Sequence, residues 1–162
     1  MKVLAIDPGY GRCGVAVVEK RGGAEMLLYS GCIETSSKDA FAERLAAVTA
    51  ECMRLVEKFE PDSIAIEKLY FSNNQKTAMR VAEVRGALIA AAAGRDIPLF
   101  EYGPGEVKSA TAGSGRADKR AVAQMLRLLV KIDKHIAHDD EYDAIAIGIA
   151  HLALSRGLMA KS

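Results

Sequence analysis

Four acids stand where a sheet and a helix could gather them. Asp7 closes the apolar run Val3-Leu4-Ala5-Ile6 and leads into Pro8-Gly9, and Glu67 closes a second such run, Ser63-Ile64-Ala65-Ile66. Parallel strands that share one edge of a sheet set their terminal side chains around a common crevice, the usual ligand site of open α/β sheets. Asp140 and Asp143 lie three apart in His138-Asp139-Asp140-Glu141-Tyr142-Asp143, hence on one face of a helix. A buried group of carboxylates repels itself unless cations neutralise it, and Mg²⁺ takes oxygen ligands of this kind. Two ions about 3.5–4 Å apart would activate a water and stabilise the leaving oxygen of a phosphodiester.

Each acid also has a plainer reading. A strand-terminal carboxylate can be solvated or accept from loop amides, and Asp139 and Asp140 fit as helix-start acids, contributing about 0.3–1 kcal/mol each. Asp143 fits that role less well, because it lies deeper, where the apolar run Ala144–Ala150 turns toward a core. Glu101, inside Phe100-Glu101-Tyr102, is a third strand-terminal acid and a weaker candidate.

Other chemistries find little support. His135, His138 and His151 form neither HxxxH nor HExxH, so each reads as a surface or packed histidine, with His138 kept in view beside Asp140. Gly9-Tyr10-Gly11-Arg12-Cys13-Gly14 has the letters of a dinucleotide motif but runs into a strand pattern instead of a helix. Neither a phosphate-binding GxxxxGK[ST] loop nor a GxSxG nucleophile elbow occurs.

The elements that must position the acids follow from periodicity. Val3–Ile6, Val15–Val18 and Met26–Ile33 read as strands of an antiparallel meander, with Arg21-Gly22-Gly23 as a turn. From Ser37 the apolar residues Phe41, Leu45, Val48, Cys52, Leu55 and Phe59 recur at helical spacing until Pro61. A strand then ends at Glu67, and Leu69–Asn74 forms a loop whose Asn73 or Asn74 caps an Ala-rich helix running to about Gly94. Ile97–Phe100 is the fifth strand; Gly103-Pro104-Gly105 and Gly113-Ser114-Gly115 make loops around a short segment carrying Lys108. Asp118–Leu129 and Asp140–Arg156 are helices. The expected fold is α/β, a five-stranded mixed sheet flanked by helices on both faces, with one domain over 1–157 and a short tail at 158–162.

Composition agrees with one globular domain: 162 residues, 50% hydrophobic, 27% charged, no Trp. No apolar stretch approaches the roughly 18–20 residues of a membrane span, and the N-terminus lacks a secretory apolar region, so a cytoplasmic protein without membrane contact is expected. Three cysteines, Cys13, Cys32 and Cys52, match no metal pattern and read as reduced core residues. Net charge is only +1, but it is regional. Lys108–Lys134 holds seven basic and two acidic residues, Arg116, Lys119 and Arg120 among the basic ones; Lys68–Arg85, with Lys76 and Arg80, has a surplus of three. Such stretches are commonly solvated helix faces, and beside the carboxylates they offer a phosphate-binding surface.

Asp7-Pro8-Gly9, Ala65-Ile66-Glu67, Phe100-Glu101-Tyr102, Val107-Lys108, Gly113–Lys119 and Asp140-x-x-Asp143-Ala144-Ile145-Ala146 together resemble the RuvC family of crossover-junction endodeoxyribonucleases, the Holliday-junction resolvases, over nearly the whole chain. The resemblance implies an RNase H-like fold and a homodimer. It also implies symmetric, Mg²⁺-dependent nicking of two strands of a four-way DNA junction in recombination and repair, leaving 5′-phosphate and 3′-hydroxyl ends. Asp7, Glu67, Asp140 and Asp143 fall on the family's catalytic, metal-binding acids, with two Mg²⁺ per site and Mn²⁺ as a substitute. Lys108 and Lys119 fall on lysines near the scissile phosphate, and Tyr70 on an aromatic used against junction bases. Lys76, Arg80, Arg116 and Arg120 are assigned to DNA contact, and the RuvA–RuvB branch-migration complex is an expected partner. Arg120-Ala121 departs from the more polar pair expected after Lys119, and Asp139 leaves the start of the last helix ambiguous by one residue.

A two-fold symmetric pair of cuts calls for a C₂ dimer, and the Ala-rich helix is the candidate interface. Two rivals stay open. An ATPase of the sugar-kinase or actin type also begins with a strand and an Asp-x-Gly turn, but needs two such lobes. A non-catalytic RNase H-like module would bind DNA without cutting it.

Overall fold

The run Val3–Ile6 becomes the central strand of the molecule because both of its faces are covered. The computed structural model describes residues 1–69 and 75–155. Along them lie β1 (Lys2–Asp7), β2 (Arg12–Arg21), β3 (Ala24–Glu34), α1 (Phe41–Phe59), β4 (Ser63–Glu67), α2 (Gln75–Ala93), β5 (Leu99–Tyr102), α3 (Pro104–Ala112), α4 (Lys119–Leu129) and α5 (Asp139–Leu154). The sheet order is β3-β2-β1-β4-β5. β2 pairs antiparallel with β1 and β3, while β4 runs parallel to β1 and β5 parallel to β4. This is the expected mixed sheet: hairpin turns join the first three strands, and helices carry the crossovers that parallel strands need.

Strand parity divides the core in two. Val3, Ala5, Ala16, Val18, Ala65 and Tyr102 face one way, with residues of α3, α4 and α5. Leu4, Ile6, Val15, Val17, Ile64 and Ile66 face the other way, against α1 and α2. The residues turned toward α5 are the smaller set, which lets that helix lie close to the sheet. A side chain at Gly148 would come within 2.7 Å of Val18 Cγ2 and 3.2 Å of Ala5 Cβ.

Several boundaries differ from the sequence reading. β2 and β3 are longer than the apolar pattern shows, because their far ends pair through polar residues around Gly22 and Gly23, both at positive φ, and register shifts at Val17/Val18. α1 begins at Phe41, not Ser37, where the Glu43 side chain accepts from the Ala40 N–H. The short segment carrying Lys108 is a helix, α3, and it takes in Pro104-Gly105, where the sequence reading places a loop. Pro104 sits in its first turn, Glu106 accepts from the Gly103 N–H at 2.7 Å, and Gly113 ends it in a left-handed conformation. α5 starts one residue earlier than expected, at Asp139, and its described part ends at Leu154. Asn73, Asn74, Arg156 and the tail at 158–162 lie outside the described residues. Cys13 and Cys52 are buried, Cys32 is half-buried, and all three are free thiols.

Candidate active site

Parity decides which strand-terminal acids meet. Asp7 continues the Val3–Ala5 face and Glu67 the Ala65 face, so both turn toward α5 at the carboxyl ends of adjacent parallel strands. Glu101 lies on the opposite parity from Tyr102 and pairs instead with Arg85 of α2. The weaker third acid is therefore outside the cluster.

The helical acids arrive because α5 is seated on β2. Gly14 is the cross-strand partner of Asp7, and a side chain at Gly14 would fall 1.8 Å from the Asp140 carbonyl oxygen. Only glycine admits this approach of backbone to backbone. Glu141, between the two site acids, is buried; it accepts from Ser30 Oγ at 2.6 Å and pairs with Lys134 at 2.5 Å. Lys134 also donates to the Ser30 carbonyl at 2.6 Å, so the chain ahead of α5 is fastened to β3.

The carboxylates perturb one another as burial and like charge demand. Asp7 is pushed up to about 8, first by burial and then by Glu67, Asp143, Cys13 and Asp140. Glu67 is also raised, by burial and then by Asp143, and is partly relieved by a hydrogen bond with Asp7. Asp143 is raised by burial, against the opposing pull of Lys119. At neutral pH a protonated Asp7 thus donates to Glu67, and the cluster holds a proton where a metal ion would displace one.

Two cations lean on the helical acids. Lys119 Nζ lies 3.4 Å from Asp139 and 3.7 Å from Asp143, while Arg12 Nε lies 3.3 Å from Asp140. Neither Asp139 nor Asp140 caps its helix: His138 is the N-cap residue, and its side chain makes no capping bond. Among the described residues no three His, Cys, Asp or Glu side chains are gathered as a finished metal cage. The donor set nonetheless suits a hard divalent ion, being all carboxylate oxygen and charged against itself.

A cleft of about 410 Å³ opens beside the cluster. Glu67, Asp139, Asp143, Lys108, Lys119 and Arg120 contribute its polar groups, and apolar residues of α3, α4 and α5 form the rest of its lining. Lys108 and Lys119 are therefore where a phosphate approaching the acids would meet them. Arg116 is exposed in the turn between α3 and α4, outside that lining, and Lys76 is exposed on α2. Arg80 is held by Glu83 at 3.1 Å and lies over the Phe41 ring at 4.0 Å. Tyr70 lies outside the described residues. Gly14, Arg12 and the Glu141–Ser30–Lys134 cluster escape the sequence reading. Gly14 alone left a signal, in the glycine-rich stretch set aside as a false dinucleotide motif.

Comparison with known proteins points one way. The profile of the family described as "Crossover junction endodeoxyribonuclease RuvC" matches residues 3–151. A protein of that name from Petrotoga mobilis is 41% identical over 151 residues, 93% of this chain and 93% of the relative. Another from Brachyspira hyodysenteriae is 41% identical over 156 residues, 96% of each chain. Among solved structures, T. thermophilus RuvC in complex with a Holliday junction substrate superposes with a TM-score of 0.91 at 32% identity, covering 97% of this chain and 96% of that one.

Proposed function

Because the chain belongs to the RuvC family of crossover junction endodeoxyribonucleases, we propose that it resolves Holliday junctions by cutting two strands symmetrically. The cuts leave 5′-phosphate and 3′-hydroxyl ends. Asp7, Glu67, Asp140 and Asp143 hold two Mg²⁺ ions, with Mn²⁺ able to substitute. The observation that carries this reading is the convergence of Asp7 and Glu67, at the ends of adjacent parallel strands, with Asp140 and Asp143 of the helix seated against them.

Bound metal supplies activation of the attacking water and stabilisation of the leaving 3′ oxygen. The chain's own residues do the rest. Glu67 and Asp143 line the cleft at the reacting end, and Asp7, raised to about 8, would have to release its proton to solvent in order to hold an ion. Lys119, already oriented by Asp139 and Asp143, and Lys108 on α3 present ammonium groups to the scissile phosphate, where charge develops in the transition state. Arg120 is assigned to DNA contact within the cleft, Arg116, Lys76 and Arg80 to DNA contact outside it, and Tyr70 to DNA contact by stacking.

Two cuts related by the symmetry of a junction need two sites, so the active species is a homodimer. α2 suits the interface: it buries Ala78, Val84, Leu88 and Ala92 inward and leaves Met79, Gly86, Ala90 and Ala93 on a flat exposed face. The protein works in the cytoplasm with the RuvA–RuvB branch-migration complex. No helix among the described residues is long and apolar enough to cross a membrane.

The test is cleavage of a labelled synthetic four-way junction with Mg²⁺, comparing the wild type with Asp7→Asn and Asp143→Asn, and junction binding in EDTA. Paired symmetric nicks from the wild type, with binding but no nicks from either variant, are expected. Binding without cutting by the wild type, on varied core sequences and with either metal, would leave a DNA-binding module instead.

A further inference from the structure

The cation that holds Asp140 comes from an unexpected place. Arg12 begins β2, directly across from Glu34 of β3, and β2 parity turns it toward α5 together with Gly14. Its guanidinium makes two contacts there: Nε to Asp140 at 3.3 Å, and Nη1 to His138 Nδ1 at 3.3 Å. Arginine can only donate, so His138 accepts at Nδ1, and its Nε2–H then faces Glu34 at 3.2 Å. The result is a chain of contacts from Glu34 through His138 and Arg12 to Asp140 at the shoulder of the carboxylate cluster. It rests on no group outside the chain.

We propose that Arg12 is an internal counter-ion for the metal site. It neutralises Asp140 in the metal-free protein and is displaced by the incoming divalent ion, so it sets how tightly that ion binds. The inference rests on the metal-dependent reading above and concerns residues of this chain alone.

The geometry supports both halves of the exchange. Among the described residues Asp140 is ion-paired with Arg12, and an ion that takes its oxygens must compete with that guanidinium or move it. Arg12 has somewhere to go. It is about half exposed, retains His138 as an acceptor, and has the Glu34 carboxylate as its cross-strand neighbour. Lys119 leans on Asp143 in a comparable way, but it also lines the cleft where phosphate must approach, whereas Arg12 is absent from that lining. Arg12 is therefore a positioning residue, acting on the acid and through it on the ion. The pair is partly exposed, so its worth is modest, and its loss reads as about a three- to fivefold change in affinity.

Calorimetric titration of the metal-free protein with Mn²⁺, without DNA, reads this directly for the wild type, Arg12→Gln and Arg12→Lys. Arg12→Gln is expected to bind Mn²⁺ about three- to fivefold more tightly, with the gap narrowing as salt is raised from 50 to 500 mM, and Arg12→Lys to remain near the wild type. A purely structural role for Arg12 would weaken binding in both variants. Equal or weaker binding by folded Arg12→Gln, with its fold checked by circular dichroism, overturns the counter-ion role and leaves the metal reading standing. Absence of Mn²⁺ binding by the wild type overturns the metal reading and this inference together.

Discussion

Helix α5 carries a polar cluster at each end, half-buried at its start and fully buried in its last turn, and the two are built on opposite principles. At its start, Asp140 and Asp143 face Asp7 and Glu67, where like charges are pressed together and a proton is held by Asp7 against its ordinary tendency. In its last turn His151, with no exposure, lies between Ser63 and Tyr102. Ser63 Oγ is 2.9 Å from Nε2 and the Tyr102 hydroxyl 2.8 Å from Nδ1, while the Phe100 ring packs 4.9 Å away. One hydroxyl donates to the unprotonated nitrogen and the other accepts from the N–H, so the neutral ring is fully satisfied from within the chain. Burial holds it neutral, pushing its pKa down to about 4. The distal cluster is complete; the proximal one is stable only in company. That contrast separates a polar group kept for packing from a polar group kept for a ligand.

Breaking the incomplete end costs activity and gains stability. Asp7→Asn removes one of the proposed metal ligands and is expected to lower junction cleavage by about three orders of magnitude. The same change makes metal-free protein more resistant to denaturant above pH 8, because a buried negative charge is gone. Parallel loss of stability and cleavage would place Asp7 in the frame and not in the chemistry.

Next in size is the seat of the helix. Gly14→Ala puts a methyl group against the Asp140 carbonyl, and the backbone there must yield. Overpacking of this kind costs about 1–3 kcal/mol, and displacement of the acids by about 1 Å costs on the order of a hundredfold in rate. Kinetics at saturating Mg²⁺, together with a denaturation curve, separate the two effects. A variant with normal rate would mean that α5 can shift without carrying its acids out of place.

The complete end responds in the opposite sense. His151→Leu leaves the Ser63 and Tyr102 hydroxyls buried without their partner, and about 2–3 kcal/mol of stability should be lost. Mn²⁺ affinity and cleavage by folded molecules should stay near wild type, since α5 places His151 about 16 Å along the helix from Asp140. A matching fall in metal affinity would show that the two ends are coupled through the helix.

How much of this was legible follows the same division. Asp7 and Glu67 could be read because each ends an unbroken apolar run, which sets it at the carboxyl end of a buried strand, where open α/β sheets bind ligands. Asp143 could be read because it lies too deep for a cap. Glu101 reads as a weaker candidate in sequence, and strand parity, fixed by the pairing of β5 with β4, sends it to Arg85 instead. Gly14 and Arg12 act through contacts with residues more than a hundred positions away, and neither carries periodicity of its own. The Lys108 segment was missed as a helix because Gly103, Gly105 and Gly113 read as loop punctuation, although Pro104 and Glu106 together encode a helix start.

The smallest effect discriminates best between the two ends, because there they pull in opposite directions. Asp7, raised from 3.8 to about 8, keeps a proton that the unfolded chain releases; its contribution is complete below about pH 4 and is lost as pH rises toward 8. His151, lowered from 6.5 to about 4, refuses a proton that the unfolded chain takes up; its contribution is present above about pH 6.5 and is lost as pH falls toward 4, to a total of about 3 kcal/mol. Between pH 4 and 6.5 the His151 slope opposes that of Asp7, which Glu67 and Asp143, also raised by burial, reinforce; above 6.5 His151 no longer offsets the acids. Denaturant midpoints of metal-free protein should therefore decline more steeply above pH 6.5 than below it. His151→Leu should convert this profile into a decline starting near pH 4, and Asp7→Asn should reduce the decline above pH 6.5. With saturating Mg²⁺ the decline above pH 6.5 should shrink in the wild type, since the ion replaces the proton that Asp7 would otherwise need. A metal-loaded profile identical to the metal-free one would place the ion somewhere other than on Asp7.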